Sequence, residues 1–156
     1  MIKKIVIRKA IISDAPKIRE IVNNFASEGK MLPLSYNQIY ERIRDFWIVE
    51  ENKKIVGCGA LRSIWKELGE IRSLAIIPSR QRKGYATLLM RKMFEEAKNL
   101  GLKKIFVLTY IPEFFEKFGF EKIPKSRLPH KIWLDCVNCP KFPNCDEIAL
   151  IKFLTK

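Results

Sequence analysis

The stretch from Glu70 to Ala86 constrains this chain most, because it passes from strand chemistry to helix chemistry across a basic turn. Ile71, Leu74, Ala75, Ile76 and Ile77 form an apolar, partly β-branched run suited to a strand, and Pro78 stops it. Arg80-Gln81-Arg82-Lys83-Gly84 follows, and Leu88, Leu89, Met93 and Phe94 then mark a helix. A strand, a basic glycine-containing turn and a helix start together make a cradle for an anion. N–H groups of a first helical turn have no partner inside the helix, and the helix dipole adds positive potential there. Glycine at position 84 lets the backbone approach a phosphate that a Cβ would hold off.

At 156 residues, the chain is long enough for one domain, residues 1–156, with a core that needs no covalent staples. A hydrophobic share of 47% excludes wholesale disorder. No apolar run approaches the ~18–20 residues of a membrane span, and Met1 to Arg8 reads as a first strand rather than a signal peptide. A cytoplasmic protein that does not engage membranes is the expectation. Thirty Lys and Arg against 17 Asp and Glu leave a net charge of +13, which favours anionic partners or reflects a charge-rich surface. No basic stripe interleaved with aromatic residues is present, so nucleic acid is the minority reading.

In chain order, residues 2–9 suggest a strand, and Ser13 and Pro16 open a helix with Ala15, Ile18, Ile21, Val22 and Phe25 on one face. Ser35 and Gln38 form a capping box for a short second helix. Residues 46–50 and 55–64 read as a hairpin turned at 51–54, with Gly57 and Gly59 marking close packing or a bulge. After the central strand and the helix to Asn99 come a strand over 104–110, a short helix from Pro112, a strand over 120–123 and a closing strand over 147–154. This order predicts an α/β (α+β) fold: a mixed, mostly antiparallel central sheet of six or seven strands flanked by about four helices.

Gln81-x-x-Gly84-x-Ala86 after such a strand resembles the acetyl-CoA signature of the GNAT N-acetyltransferase superfamily, with Ala86 where glycine is usual. Glu113-Phe-Phe-Glu-Lys-Phe-Gly-Phe120 resembles the same family's late signature. Within the family, several stretches are similar to the acetyltransferase domain of N-acetylglutamate synthases, especially the short stand-alone kind. They are Phe25-x-x-Glu28-Gly29-x-x-Leu32, Gly57-Cys-Gly-Ala-Leu61, Gly69-Glu-Ile-Arg-Ser-Leu-Ala75, Phe106-Val-Leu-Thr-Tyr110, Leu128-Pro-His-Lys131 and the tail Asp135 to Asp146.

The resemblance implies a GNAT fold and acetyl transfer from acetyl-CoA to the α-amino group of glutamate, or of a relative such as glutamine, as in arginine biosynthesis. It implies that Gln81, Arg82, Lys83, Gly84, Tyr85 and Ala86 hold the cosubstrate's pyrophosphate, that Leu74, Ala75 and Ile76 line its pantetheine arm, and that Phe115 adjoins it. Glu70 matches the family's acidic position and would act as general base; a solvent-facing glutamate at a strand start is the plain alternative. Phe115 stands where most members carry a thiolate-protonating tyrosine, which leaves Thr109 and Tyr110 as hydroxyl candidates, with Tyr110 equally suited to a wall or core.

Glutamate's carboxylates call for cations, and Arg72 and Lys131 are the candidates. Pro33 and Leu34 stand where larger synthases place an arginine. Other readings are a GNAT enzyme for polyamines or protein amines, and a non-catalytic module binding CoA or RNA. A homodimer is left open. Cys136, Cys139 and Cys145 could hold zinc as thiolates, with His130 or a distant group completing the set, or could be ordinary loop cysteines.

Overall fold

The computed structural model describes residues 3–128 and 147–154. The chain forms two compact units, Met1–Arg62 with Ile71–Leu100, and Ser63–Glu70 with Gly101–Lys156. Among the described residues there are seven strands, mostly antiparallel, in the order expected from the sequence.

β1 (Ile5–Lys9), β2 (Phe46–Glu51), β3 (Lys54–Trp65) and β4 (Leu68–Ile76) follow one another in the sheet; the first unit holds β1, β2, β3 as far as Arg62 and β4 from Ile71. The helices are α1 (Ala15–Ala26), α2 (Tyr36–Glu41) and α3 (Tyr85–Asn99). Ile18, Ile21 and Val22 of α1 pack with Ile39 of α2 and with Phe46, Ile48, Cys58, Ala60 and Ala75 of the strands. The capping box forms as expected: Gln38 N–H donates to Ser35 Oγ at 3.1 Å, and Ser35 N–H to Gln38 Oε1 at 2.8 Å. Ser13 does not cap α1; it lies in a 3-10 turn, Ile12–Asp14, and α1 begins at Ala15. That turn is held by Asp14, which accepts from Ile11 N–H at 2.8 Å and from the Arg8 guanidinium at 2.7 and 2.9 Å. The Arg8 contact holds the Asp14 carboxyl below its usual range.

Side chains alternate along β2, which sends its two faces to different partners. Phe46 and Ile48 join the core with α1, whereas Trp47 and Glu51 reach α3. Trp47 Nε1 donates to Glu96 Oε1 at 2.7 Å, and Tyr85 Oη donates to Glu51 Oε1 at 3.0 Å. Glu96 and Tyr85 are about three helical turns apart, so they share a face of α3. This places the Glu51 end of the strand against the start of that helix.

Both expectations for the β3 glycines hold. The β2–β3 register shifts between Val49 and Glu50, leaving Val56 as the extra residue beside Gly57. A Cβ at Gly57 would run into Ile76 Cδ1 and sit 3.1 Å from the Ala75 carbonyl oxygen; one at Gly59 would meet Leu74 Cδ1 at 3.0 Å and Met93 Cε at 3.2 Å. Gly57→Ala should therefore destabilise the fold by about 1–3 kcal/mol through overpacking. In urea unfolding, the midpoint should fall while the slope stays constant.

In the second unit, β7 (Ile148–Phe153) lies between β5 (Lys104–Thr109) and β6 (Glu121–Ile123), antiparallel to both. Ile64, Leu68, Phe106, Leu128 and Ala149 form its core. The Glu67 carbonyl in the β3–β4 turn accepts from the Lys103 and Lys104 amides at 2.8 and 3.0 Å. The short helix α4 (Pro112–Glu116) carries the aromatic cluster. No helix among the described residues is long and apolar enough to cross a membrane.

Candidate active site

The turn between β4 and α3 has the form the sequence suggested, with supports the sequence did not reveal. Pro78–Arg80 make a 3-10 turn, and Gly84 at φ 84° is the residue before the first turn of α3. Arg82 at φ 64° is also left-handed, which is uncommon for a residue with a side chain. Gln81, Arg82, Lys83 and Gly84 are exposed, while Tyr85 is buried. No heavy atom lies within 4 Å of where a Cβ on Gly84 would sit. The turn thus offers open space above its glycine, basic side chains and the amides that begin a 15-residue helix. These features fit a pyrophosphate.

The side chain of Gln81 turns back, its Nε2 donating to the Ile76 carbonyl at 2.9 Å, which ties the turn to the end of β4. On the other flank, Glu51 is 5% exposed and accepts from Arg80 Nε at 2.7 Å and from Tyr85 Oη at 3.0 Å. Lys3 Nζ lies 3.9 Å from its second oxygen. Burial pushes the Glu51 carboxyl up, but the Tyr85 hydroxyl and the Arg80 guanidinium outweigh it and hold the group below its usual range. Burial, and then Glu51, push the Tyr85 phenol up. Arg80, although part of the basic turn, is thus paired with Glu51. Arg82 and Lys83 are the exposed cations of the turn.

Along β4, Ala75 and Ile76 are buried and Leu74 is half-buried. Ser73 breaks the strand's regularity with φ 54°, and Cys58 Sγ approaches its carbonyl oxygen at 3.5 Å. Arg72, two residues beyond Glu70 in β4, is half-buried.

Glu70 is 7% exposed, which removes the solvent-facing alternative. It belongs to the second unit, as do the hydroxyl candidates. Thr109 is 8% exposed at the end of β5, and its Oγ1 accepts from Ile111 N–H at 2.9 Å, leaving its own proton to donate. Tyr110 is half-buried. Phe115 is buried and meets Phe114 and Phe120 edge-on, with ring centroids 5.0 and 5.6 Å apart. Lys131, His130, Cys136, Cys139 and Cys145 lie outside the described residues. Sequence reasoning missed Glu51, which it left in the hairpin turn; the structure places it at the end of β2, paired with Lys54.

Known proteins share this chain's sequence and fold. Residues 15–120 match the model of the acetyltransferase (GNAT) family. An uncharacterized N-acetyltransferase of Chlorobaculum tepidum, CT2212, is 40% identical over 95% of this chain and 96% of its own length. An amino-acid acetyltransferase of Mycobacterium tuberculosis is 39% identical over 76% of this chain and 69% of its own. Among solved structures, N-acetylglutamate synthase from Neisseria gonorrhoeae, complexed with coenzyme A and N-acetyl-glutamate, superposes with a TM-score of 0.90 at 26% identity. The match takes in 98% of this chain but only 36% of that synthase. Rv2747 from Mycobacterium tuberculosis, solved with CoA, gives a TM-score of 0.84 at 28% identity, covering 96% of this chain and 99% of its own. A family model spanning most of the chain and a relative spanning nearly all of it place the chain in the GNAT family of N-acetyltransferases.

Proposed function

We propose that this protein is an acetyl-CoA-dependent amino-acid N-acetyltransferase that acetylates the α-amino group of glutamate, as in the cytoplasmic synthesis of arginine. The observation that carries the proposal is its 39% identity to an amino-acid acetyltransferase over three quarters of the chain. The similarity to a synthase solved with N-acetyl-glutamate points to the same substrate class.

Acetyl-CoA, when bound, supplies the acetyl group as an activated thioester. The Gly84 turn and the start of α3 would receive its pyrophosphate, and Leu74, Ala75 and Ile76 would adjoin the arm that follows. An amino acid arrives as an ammonium at neutral pH and must lose a proton before its nitrogen can attack. Glu70 would take that proton, directly or through one water, and transfer would proceed without an acyl-enzyme. Free thiols ionise near ~8.5, so the departing sulfur needs little help from an acid. Thr109 or Tyr110 would provide the hydroxyl if one is used. Arg72 is the described cation assigned to a substrate carboxylate; Lys131 remains the second candidate.

Thiol release measured across a panel of amines tests the assignment. Release should depend on glutamate or a close relative such as glutamine. If amino acids release no CoA while spermidine or a peptide does, the enzyme acts on polyamines or protein amines instead.

A further inference from the structure

We propose that Glu51 is a positioning residue for the cofactor's pyrophosphate, gripping the residues on both flanks of the 81–84 turn so that its shape exists before the anion arrives. The inference rests on reading that turn as the pyrophosphate cradle. A buried carboxylate next to an anion site is unfavourable in itself, because like charges repel. Its presence therefore needs a reason, and its contacts supply one.

Arg80 is the last residue before the exposed turn and Tyr85 the first helical residue after it. Both donate to the same Glu51 oxygen, Oε1. The span between them holds two left-handed residues, Arg82 and Gly84, and the Gln81 amide anchors its beginning to Ile76. A loop with such a backbone loses much conformational freedom when it closes on a ligand. Fixing its two ends beforehand removes part of that cost from binding. Glu51 itself is fixed, because alternation along β2 turns it toward α3 and the Trp47–Glu96 bond secures the same pair of elements at the far end.

The charges around it are balanced. Arg80 and Lys3 approach from the turn and from the segment before β1, Lys54 is the cross-strand neighbour, and Tyr85 stays protonated as a donor. The negative charge is thereby met by neighbouring cations and a hydroxyl of the protein itself. Glu51 thus acts through Arg80 and Tyr85.

The test compares two ligands on the full chain. CoA carries the pyrophosphate; S-acetyl-pantetheine keeps the arm and thioester but lacks it. Glu51→Gln should weaken CoA binding in calorimetry about tenfold, the scale of one charge-assisted hydrogen bond. The same variant should leave the KM for S-acetyl-pantetheine within about twofold of the parent. Tyr85→Phe, which removes only a hydroxyl, should shift CoA affinity in the same direction, and it carries the test if Glu51→Gln does not fold. Unchanged CoA affinity, or equal losses with both ligands, overturns the proposal. Gly84→Val measured alongside separates the two readings. If it binds CoA like the parent, the cradle reading fails; if it loses binding while Glu51→Gln and Tyr85→Phe do not, only the role of Glu51 falls.

Discussion

Glu70→Gln is expected to lower turnover about 100-fold or more while leaving the affinity for acetyl-CoA nearly unchanged. The amide matches the carboxylate in size and can fill the same buried place in β4, but it cannot accept a proton from an ammonium. Glu70 is 7% exposed, so a replacement of the same size is the one that keeps its packing. Calorimetry with CoA and steady-state thiol release on the same preparation would separate binding from turnover. Unchanged turnover would take Glu70 out of the catalytic role. The experiment also addresses the non-catalytic alternative, because a module that only binds CoA needs no base and would show no glutamate-dependent release to lose.

Gly84→Val should weaken CoA binding by about 100-fold, whereas removing the charge of Arg82 should cost only a few-fold. Two effects combine at Gly84. Its φ of 84° is a conformation that a β-branched residue adopts only with strain. The new side chain would also occupy the open space above the turn, where no protein atom lies within 4 Å. Because a Cβ there meets no protein atom beyond the glycine's chain neighbours, the cost to folding comes chiefly from the backbone, and lost affinity reports on the ligand's place.

Arg82 is itself left-handed, so Arg82→Asn is a better neutral variant than alanine: asparagine tolerates that backbone. The loss on Arg82→Asn should shrink at high salt, as an exposed charge requires, while that on Gly84→Val should persist. Titrations at two salt concentrations would show both. A Gly84→Val protein that binds CoA like the parent would mean that the pyrophosphate lies elsewhere.

Local features were legible without coordinates. The Ser35–Gln38 box, the apolar spacing of Ile18, Ile21 and Val22, the stop at Pro78 and the glycine turn that leads into α3 each depend on residues within a turn or two of each other. Short-range hydrogen bonds and side-chain periods carry such information directly. The alternating pattern also conveyed the hairpin of β2 and β3, because strands joined by a short connection tend to pair; the insertion of β7 between β5 and β6 was not legible there.

Other features depended on partners distant in the chain. Ser35 could be identified as a cap from its neighbours, but Ser13 could not be rejected as one, because Arg8 and the Ile11 amide determine what Asp14 does. The left-handed Ser73 has no glycine to announce it, and the close approaches that keep Gly57 and Gly59 free of a Cβ come from Ile76, Leu74 and Met93. Gln81, read as a ligand-binding residue of the turn, gives its side-chain amide to its own strand. Glu51 is the plainest case. By sequence it is one more charged residue beside a hairpin, yet its partners lie 29 and 34 positions away. Spacing within β2 could indicate only the face it shares with Trp47; packing α3 on that face decided that the carboxylate would be buried, ionised and tied to the turn before α3.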